Sequence, residues 1–334
     1  MKLAFSDRYR DTLRVNLAQA LRGDDATRQI LRYHVGLETV KGRADDALGK
    51  LLRPSLLLFV AEDLGAHIAS ALPAAVALEL IHNFSLIHDD IEDGDKKRRG
   101  RASVWSLIGV PKAINAGDLM MTLALLEADR TTPDAVRCLL DAMRDLVDGQ
   151  SLDLEFESRW VTPSEYRAMI QLKTGALFRC AFEVGGIVAG VSPDIGKRLA
   201  SFGEDLGIAF QIRDDLLGVW GNESQLGRAA GADLRKRKKA YPLVAAHSMG
   251  SDADRAFLER AMKIEPVKDA DIEEILALLD RLGIRSDGEL RMRSHLQEAV
   301  KHLPYIPFSE DALTLLTGLF DDLTEFMNPA RESE

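Results

Sequence analysis

Helical signals dominate the pattern of apolar and polar positions, while alternating, strand-like runs and Asn-Gly or Asp-Gly hairpin turns are scarce. Several helix starts can be read directly. Thr162-Pro163-Ser164-Glu165 places Thr at the N-cap, Pro at the first helical position and Glu at the third, a capping box. Ser192-Pro193 offers the same cap-then-proline start, and Asp271 followed by Glu274 offers another box. The eleven prolines fall mainly at such punctuation points, leaving room for helices of about three to six turns. No Gly/Ser/Pro linker, low-complexity tract or short-period repeat divides the chain. Length alone suggests two domains, but this organisation predicts a single large all-α domain over residues 1–334, with a frayed polar tail at 328–334.

Composition narrows the class. A hydrophobic fraction of 46% and a charged fraction of 29% exclude a mostly disordered chain. The net charge of −10 means that a nucleic-acid binder would need a strongly localised basic face. The single five-residue basic run, Arg235 to Lys239, is a small footprint for that, so no nucleic-acid partner is expected. Cys138 and Cys180 cannot make a disulfide framework and fit a reducing, cytoplasmic setting. The N-terminus meets charge almost at once, with no signal-type apolar stretch. The longest uncharged run, Leu64 to Leu78, contains His67 and Pro73 and is too short to span a bilayer, so no membrane span is expected.

Two acidic clusters carry the candidate chemistry. In His82-Asn83-Phe84-Ser85-Leu86-Ile87-His88-Asp89-Asp90-Ile91-Glu92-Asp93, a helix brings His82, Leu86, Asp89 and Asp93 within about 60° of one another. Carboxylates four apart on one face repel, and a helix C-terminal end disfavours negative charge further. A bound cation removes both penalties. Oxygen ligands with few fixed partners suit Mg²⁺, which keeps waters and is completed by substrate phosphates. A lone Asp-Asp pair is most often a solvated helix end. Here it follows an apolar run and precedes Lys96-Lys97-Arg98-Arg99-Gly100-Arg101, an acidic edge beside a basic loop. The second cluster, Gln211-Ile212-Arg213-Asp214-Asp215-Leu216-Leu217-Gly218, repeats this logic with glycines at 221, 227 and 231 and the basic run 235–239. Two such units suggest a diphosphate held between metal and cationic side chains.

With these residues in view, the sequence resembles the trans-type polyprenyl diphosphate synthases, which make farnesyl and geranylgeranyl diphosphate. Asp89-Asp90-Ile91-Glu92-Asp93 matches their first aspartate-rich motif, DDxxD, and Arg98-Arg99-Gly100 the RRG after it. Gly49 to Pro54 looks like GKxxRP, Gly149-Gln150 with Asp153 like GQxxD, and Lys173-Thr174 like the KT element. Gln211 to Asp215, then Asp233 and Lys238, fit the second acidic region, so the matches run in order from about residue 49 to 242. One departure stands out: the last acid of the second DDxxD is replaced by Gly218. The resemblance implies an all-α bundle of isoprenoid synthase type around a central cavity.

It also implies a prenyltransferase of isoprene biosynthesis that condenses an allylic diphosphate with isopentenyl diphosphate, head to tail. Asp89 and Asp93 would bind two Mg²⁺ with Asp90 supporting, and Asp214, with Asp215, would bind the third. Arg98, Lys173 and Lys238 would neutralise the allylic diphosphate, assisted by Gln211 and Thr174. Lys50, Arg53, His82 and Arg99 would hold isopentenyl diphosphate without metal, and a homodimer is expected. Phe84, five residues before Asp89, would limit product length, with Ser85 beside it leaving room, which points to geranylgeranyl diphosphate first and farnesyl diphosphate second. The rivals are a class I terpene cyclase, which has no use for a second diphosphate site, and a non-catalytic partner subunit, for which Gly218 is the one support.

Overall fold

The structure, a computed structural model, describes residues 4–221, 232–263 and 267–325. Helices dominate it, as the pattern predicts, and the described chain divides into two compact units. The predicted glycines at 227 and 231 and the tail at 328–334 lie outside the described residues.

The first unit comprises Met1–Arg144, Leu177–Gly203 and His302–Leu319. It contains α1 (Ala4–Ala20), α2 (Ala26–Val35), α3 (Leu52–Asp63), α4 (Ile68–Glu92), α5 (Val104–Ile108) and α6 (Val110–Ala128), with the first part of α7 (Pro133–Glu157). It also holds α9 (Ala176–Ala189) from Leu177, the start of α10 (Pro193–Trp220) and most of α16 (Glu310–Thr324). Helix α3 is buried from Pro54 to Ala61, and α4 is buried along most of its length from Ala71 to Ile87. Helices apolar on every side belong at the centre of a large core, and α4 packs there against α3 and α6. Truncating one of these leucines, such as Leu57, removes about 2–5 kcal/mol of stability.

Helix α4 also revises one expectation. The apolar run does not stop at Leu78 but continues as one helix to Glu92, long and apolar enough by composition to cross a membrane. Two-thirds of that window (67%) is covered by the rest of the protein, which makes it a core helix. Pro73 lies inside it, past the first turn, and there removes one i→i−4 hydrogen bond, which the burial of the rest of the helix offsets.

The second unit comprises Asp145–Ala176, Glu204–Lys301 and the chain from Phe320. It holds α8 (Pro163–Ile170), a π-helical turn (Gln171–Gly175), α11 (Ala232–Arg235), α12 (Tyr241–Met249), α13 (Asp252–Ala261), α14 (Asp269–Arg281) and α15 (Ile284–Val300). Helix α12 is its hub, packing on α8, α13, α14 and α15. The Thr162 capping box forms as predicted, and Ser251 with Asp254 makes a second one. In the first unit, Pro193 begins α10 after Ser192, whose hydroxyl accepts from Ile195 N at 3.5 Å. The Asp271–Glu274 box does not form. Helix α14 starts at Asp269 after Lys268, so Asp269 and Asp271 lie in its first turn, where their charge complements the free amides.

The other correction is a strand pair. Lys97–Arg98 (β1) and Arg101–Ala102 (β2) form a two-residue antiparallel hairpin. Arg99 and Gly100 turn the corner at φ 51° and 74°, the two left-handed positions that a tight hairpin turn of this length requires.

Candidate active site

In the first unit, α4 delivers the first acidic cluster at its C-terminal end. Asp93 is the C-cap residue, and its N–H donates to the Asp89 carbonyl at 2.8 Å, which stacks the two side chains one turn apart as predicted. Asp89 is half-buried and Asp93 exposed. Asp90 turns the other way. It is 1% exposed, and its Oδ1 accepts from Nε and from a terminal nitrogen of Arg98, both at 2.9 Å. Burial pushes its carboxyl up to about 6 against the pull of Arg98, and Asp95 and Asp89 add to the rise. The two outward carboxylates, Asp89 and Asp93, at a helix C-terminal end suit a divalent cation. Among the described residues no three His, Cys, Asp or Glu side chains form a preformed metal cage. An open pair of acids fits Mg²⁺, which fills its remaining positions with water and phosphate oxygens.

Of the four residues expected to hold isopentenyl diphosphate, Arg53, His82 and Arg99 lie near one another. Arg53 lies 3.2 Å from His82 Nε2 and 4.9 Å above the Phe178 ring. The guanidinium of Arg99 lies against Gly49, where a Cβ would sit 2.5 Å from its Nη1. Lys50 follows Gly49 and is exposed, with its carbonyl accepting from the Ser6 hydroxyl at 2.5 Å. Burial, then Arg53 and Arg99, holds His82 well below the usual imidazole range, so it sits neutral among cations. Two guanidiniums beside a neutral imidazole make this neighbourhood strongly positive.

The RRG hairpin separates the two neighbouring arginines. Arg98, on β1, reaches Asp90, whereas Arg99, in the turn, reaches Gly49. Phe84 is 4% exposed and meets the His88 ring edge-on at 6.0 Å. Ser85 is half-buried and donates to the His82 carbonyl at 2.9 Å.

In the second unit, Lys173 and Thr174 sit in the π-helical turn, a distortion often found at functional positions. Lys173 Nζ pairs with Asp153 at 2.6 Å, so the KT and GQxxD segments meet. Gly149 makes this possible, because a Cβ there would lie 2.3 Å from Lys173 N. The Thr174 hydroxyl donates to Gln211 Oε1 at 2.7 Å, and Gln211 Nε2 donates to Asp215 Oδ1 at 2.8 Å. Asp215 Oδ2 accepts from the Tyr166 hydroxyl at 2.5 Å and from Tyr241 N at 2.9 Å. Burial raises the Asp215 carboxyl, while Lys238 and these donors oppose the rise. Asp214 is the more open of the two acids, with Arg213 3.1 Å away.

Tyr166 and Tyr241 were missed in the sequence, and no local signal marks them, since Tyr166 and Asp215 are 49 positions apart. Lys239 was read only as part of a basic run. Its ammonium caps α7, donating to the carbonyls of Phe156, Glu157 and Arg159 at 3.1, 2.9 and 2.9 Å. Among the described residues, the non-glycine positions in left-handed conformation are Leu51, Arg99 and Arg237. Each lies in or beside one of the three basic segments. Backbone strain of about 1–3 kcal/mol per residue persists where surrounding structure enforces it, typically at ligand sites.

Helical bundles that present paired acids and clustered cations define a class of diphosphate-handling enzymes, and comparison with known proteins resolves the class. Residues 38–279 match the family model described as polyprenyl synthetase. The chain belongs to that family and is a prenyltransferase. Over 286 residues it is 37% identical to a (2E,6E)-farnesyl diphosphate synthase of Mycobacterium tuberculosis, covering 83% of this chain and 80% of that one. It is 34% identical over 290 residues to a geranylgeranyl diphosphate synthase of the same organism, covering 85% and 83%. The crystal structure of a polyprenyl synthetase from Streptomyces coelicolor superposes with a TM-score of 0.88 at 33% identity, covering 97% of this chain and 99% of that one.

Proposed function

We propose that the chain condenses an allylic diphosphate with isopentenyl diphosphate into a short all-trans prenyl diphosphate, with geranylgeranyl diphosphate as the main product and farnesyl diphosphate next. The observation that carries this reading is that α4 bears both the acid pair (Asp89, Asp93) and His82, beside which Arg53 and Arg99 cluster. Two kinds of anion site match two diphosphate substrates, whereas a cyclase uses one.

Asp89 and Asp93 would hold two Mg²⁺ and Asp214 a third, with Asp90 and Asp215 supporting through Arg98 and Gln211. When bound, the metal neutralises the diphosphate as it leaves. The allylic C–O bond breaks to give a delocalised cation, the isopentenyl double bond attacks it, and a proton is lost. Arg98, Lys173 and Lys238 hold the leaving diphosphate, and Thr174 and Gln211 fix the π-helical turn that presents Lys173. Lys50, Arg53 and Arg99 orient the second diphosphate, and neutral His82 donates or accepts without adding charge.

The family match runs through both units, which supports one synthase domain. Exposed apolar side chains on α5 and α6 (Leu107, Val110, Ile114, Leu125, Leu126) support pairing with a second copy. Two free, buried cysteines support a cytoplasmic location. The test is product chromatography with dimethylallyl, geranyl and farnesyl diphosphates offered separately with radiolabelled isopentenyl diphosphate and Mg²⁺. A C20 product from each supports the reading. Turnover without isopentenyl diphosphate, or none until a partner protein is added, overturns it.

A further inference from the structure

Within the second unit, α8, α10, α12 and α15 enclose a cavity of about 530 Å³. Its apolar wall is made by Tyr166, Ile170, Ile212 and Tyr241, each no more than 3% exposed. None of the residues assigned above to metal or diphosphate lines it. A cavity of this size, with apolar walls and a few polar groups, has the form of a small-molecule site.

The charged lining is basic. Arg167, Arg291 and His295 contribute to it, and among the described residues no acid does, in a chain of net charge −10. Each of these side chains is anchored through one nitrogen. Arg167 Nη1 donates to Gln171 Oε1 at 3.3 Å, Arg291 Nε donates to Asp287 Oδ2 at 3.0 Å, and His295 Nδ1 meets Asp205 Oδ1 at 2.8 Å. The anchors fix the side chains and leave further N–H groups on each for a ligand. Arg291 and His295 bring carboxylate partners with them, whereas Arg167 is held by a neutral amide, so Arg167 supplies the uncompensated charge. One excess positive charge suits a single anionic head, not a metal-bound diphosphate.

The apolar wall also supports the second acidic cluster. The Tyr166 hydroxyl and Tyr241 N donate to Asp215 Oδ2 at 2.5 and 2.9 Å. Arg167 holds Gln171, the first residue of the π-helical turn that carries Lys173. A molecule pressed against either tyrosine therefore bears on a donor to Asp215, and thermodynamic linkage makes the effect mutual.

We propose that this cavity binds a small amphiphilic anion, with one phosphate-type head at Arg167 and a flat apolar body against Tyr166 and Tyr241, and that its occupancy is coupled to the second acidic cluster. Arg291 and His295 add donors to the head. The binding site stands apart from the synthase reading, and only the coupling rests on it.

The probe is 2-naphthyl phosphate, added to the full chain with the diphosphate sites filled by Mg²⁺ and pyrophosphate. Binding is read from its fluorescence anisotropy. The parent should bind it at least about tenfold more tightly than 2-naphthol, which lacks the head, or inorganic phosphate, which lacks the body and is read by competition. Arg167→Ala should weaken binding about tenfold or more, the loss expected for a charge-assisted contact. Ser294→Trp, at an exposed lining position, should abolish binding by filling the space. Both variants should still gain Tm with Mg²⁺ and pyrophosphate, which shows that they fold. In the parent, saturating probe should shift the Mg²⁺ concentration for half-maximal pyrophosphate protection by about fivefold or more. The shift should vanish in Ser294→Trp.

No saturable binding to the parent, or binding that both variants retain, overturns the site. Binding that leaves the Mg²⁺ requirement unchanged overturns the coupling. If Mg²⁺ and pyrophosphate fail to raise the Tm of the parent, the diphosphate reading fails instead, and titration with the probe alone still tests the cavity.

Discussion

Replacing Tyr166 by Phe isolates one hydrogen bond and leaves its ring in place. The Tyr166 ring lies 5.8 Å from that of Tyr241, and its hydroxyl donates to Asp215 Oδ2 at 2.5 Å. Asp215 is 3% exposed and accepts three bonds, from Tyr166, Tyr241 N and Gln211. Deleting one donor to a buried carboxylate costs about 2–3 kcal/mol, because the acceptor loses a charge-assisted bond without regaining water. Equilibrium urea unfolding at pH 7.5 should show that loss. The same substitution in an Asp215→Asn background should cost about 1 kcal/mol or less, since the acceptor is then neutral. Because Asp215 also fixes Gln211, and Gln211 accepts from Thr174, the single variant should raise the KM for the allylic substrate more than that for isopentenyl diphosphate. A Tyr166→Phe protein within about 0.5 kcal/mol of the parent, the range of ordinary surface changes, would refute the idea that this hydroxyl anchors the second acidic cluster.

Two further outcomes follow from the first unit. Phe84→Ala should extend the product by at least one isoprene unit in radiolabelled chromatography, and an unchanged product length would remove Phe84 as the floor. His34 gives a pH dependence of stability. Burial, with Arg99 and Arg98 behind it, holds its imidazole at about 3, below the usual 6.5, and its buried Nε2 meets no hydrogen-bond partner in the protein. A depressed pKa confers stability above 6.5 that is lost as pH falls toward 3, about 2 kcal/mol between pH 6.5 and 5. His82 adds to the loss in the same direction. Denaturant midpoints measured against pH should therefore fall below pH 6.5, and His34→Asn should flatten the slope.

What could be read in advance was local. Helix α8 announces itself because Thr162, Pro163 and Glu165 settle their own hydrogen bonds within four residues. The stacking of Asp89 on Asp93 follows from helical pitch alone. The Arg99–Gly100 hairpin escaped notice because two-residue strands carry no alternation and its first turn position holds an arginine, not asparagine or aspartate. The Asp271 box was misplaced because an acid three residues inside a helix and an acid at its cap look alike until the preceding backbone is known.

The larger gap concerns which acids face outward. Asp89-Asp90 and Asp214-Asp215 are each written as equals, yet Asp90 and Asp215 are buried and Asp89 and Asp214 are not. Adjacent helical residues point about 100° apart, so a motif of paired aspartates divides its labour by necessity. One member meets solvent and can take a cation. The other turns inward and must find donors, here Arg98 in one case and Tyr166, Tyr241 and Gln211 in the other. Gln211 lies one helical turn from Asp215, but the other donors come from 8 to 49 positions away and share no periodicity with the acids they serve. Gly218 is the same lesson inverted: in the sequence it reads as a missing acid, and only the fold shows the Asp233 carboxylate packed against it.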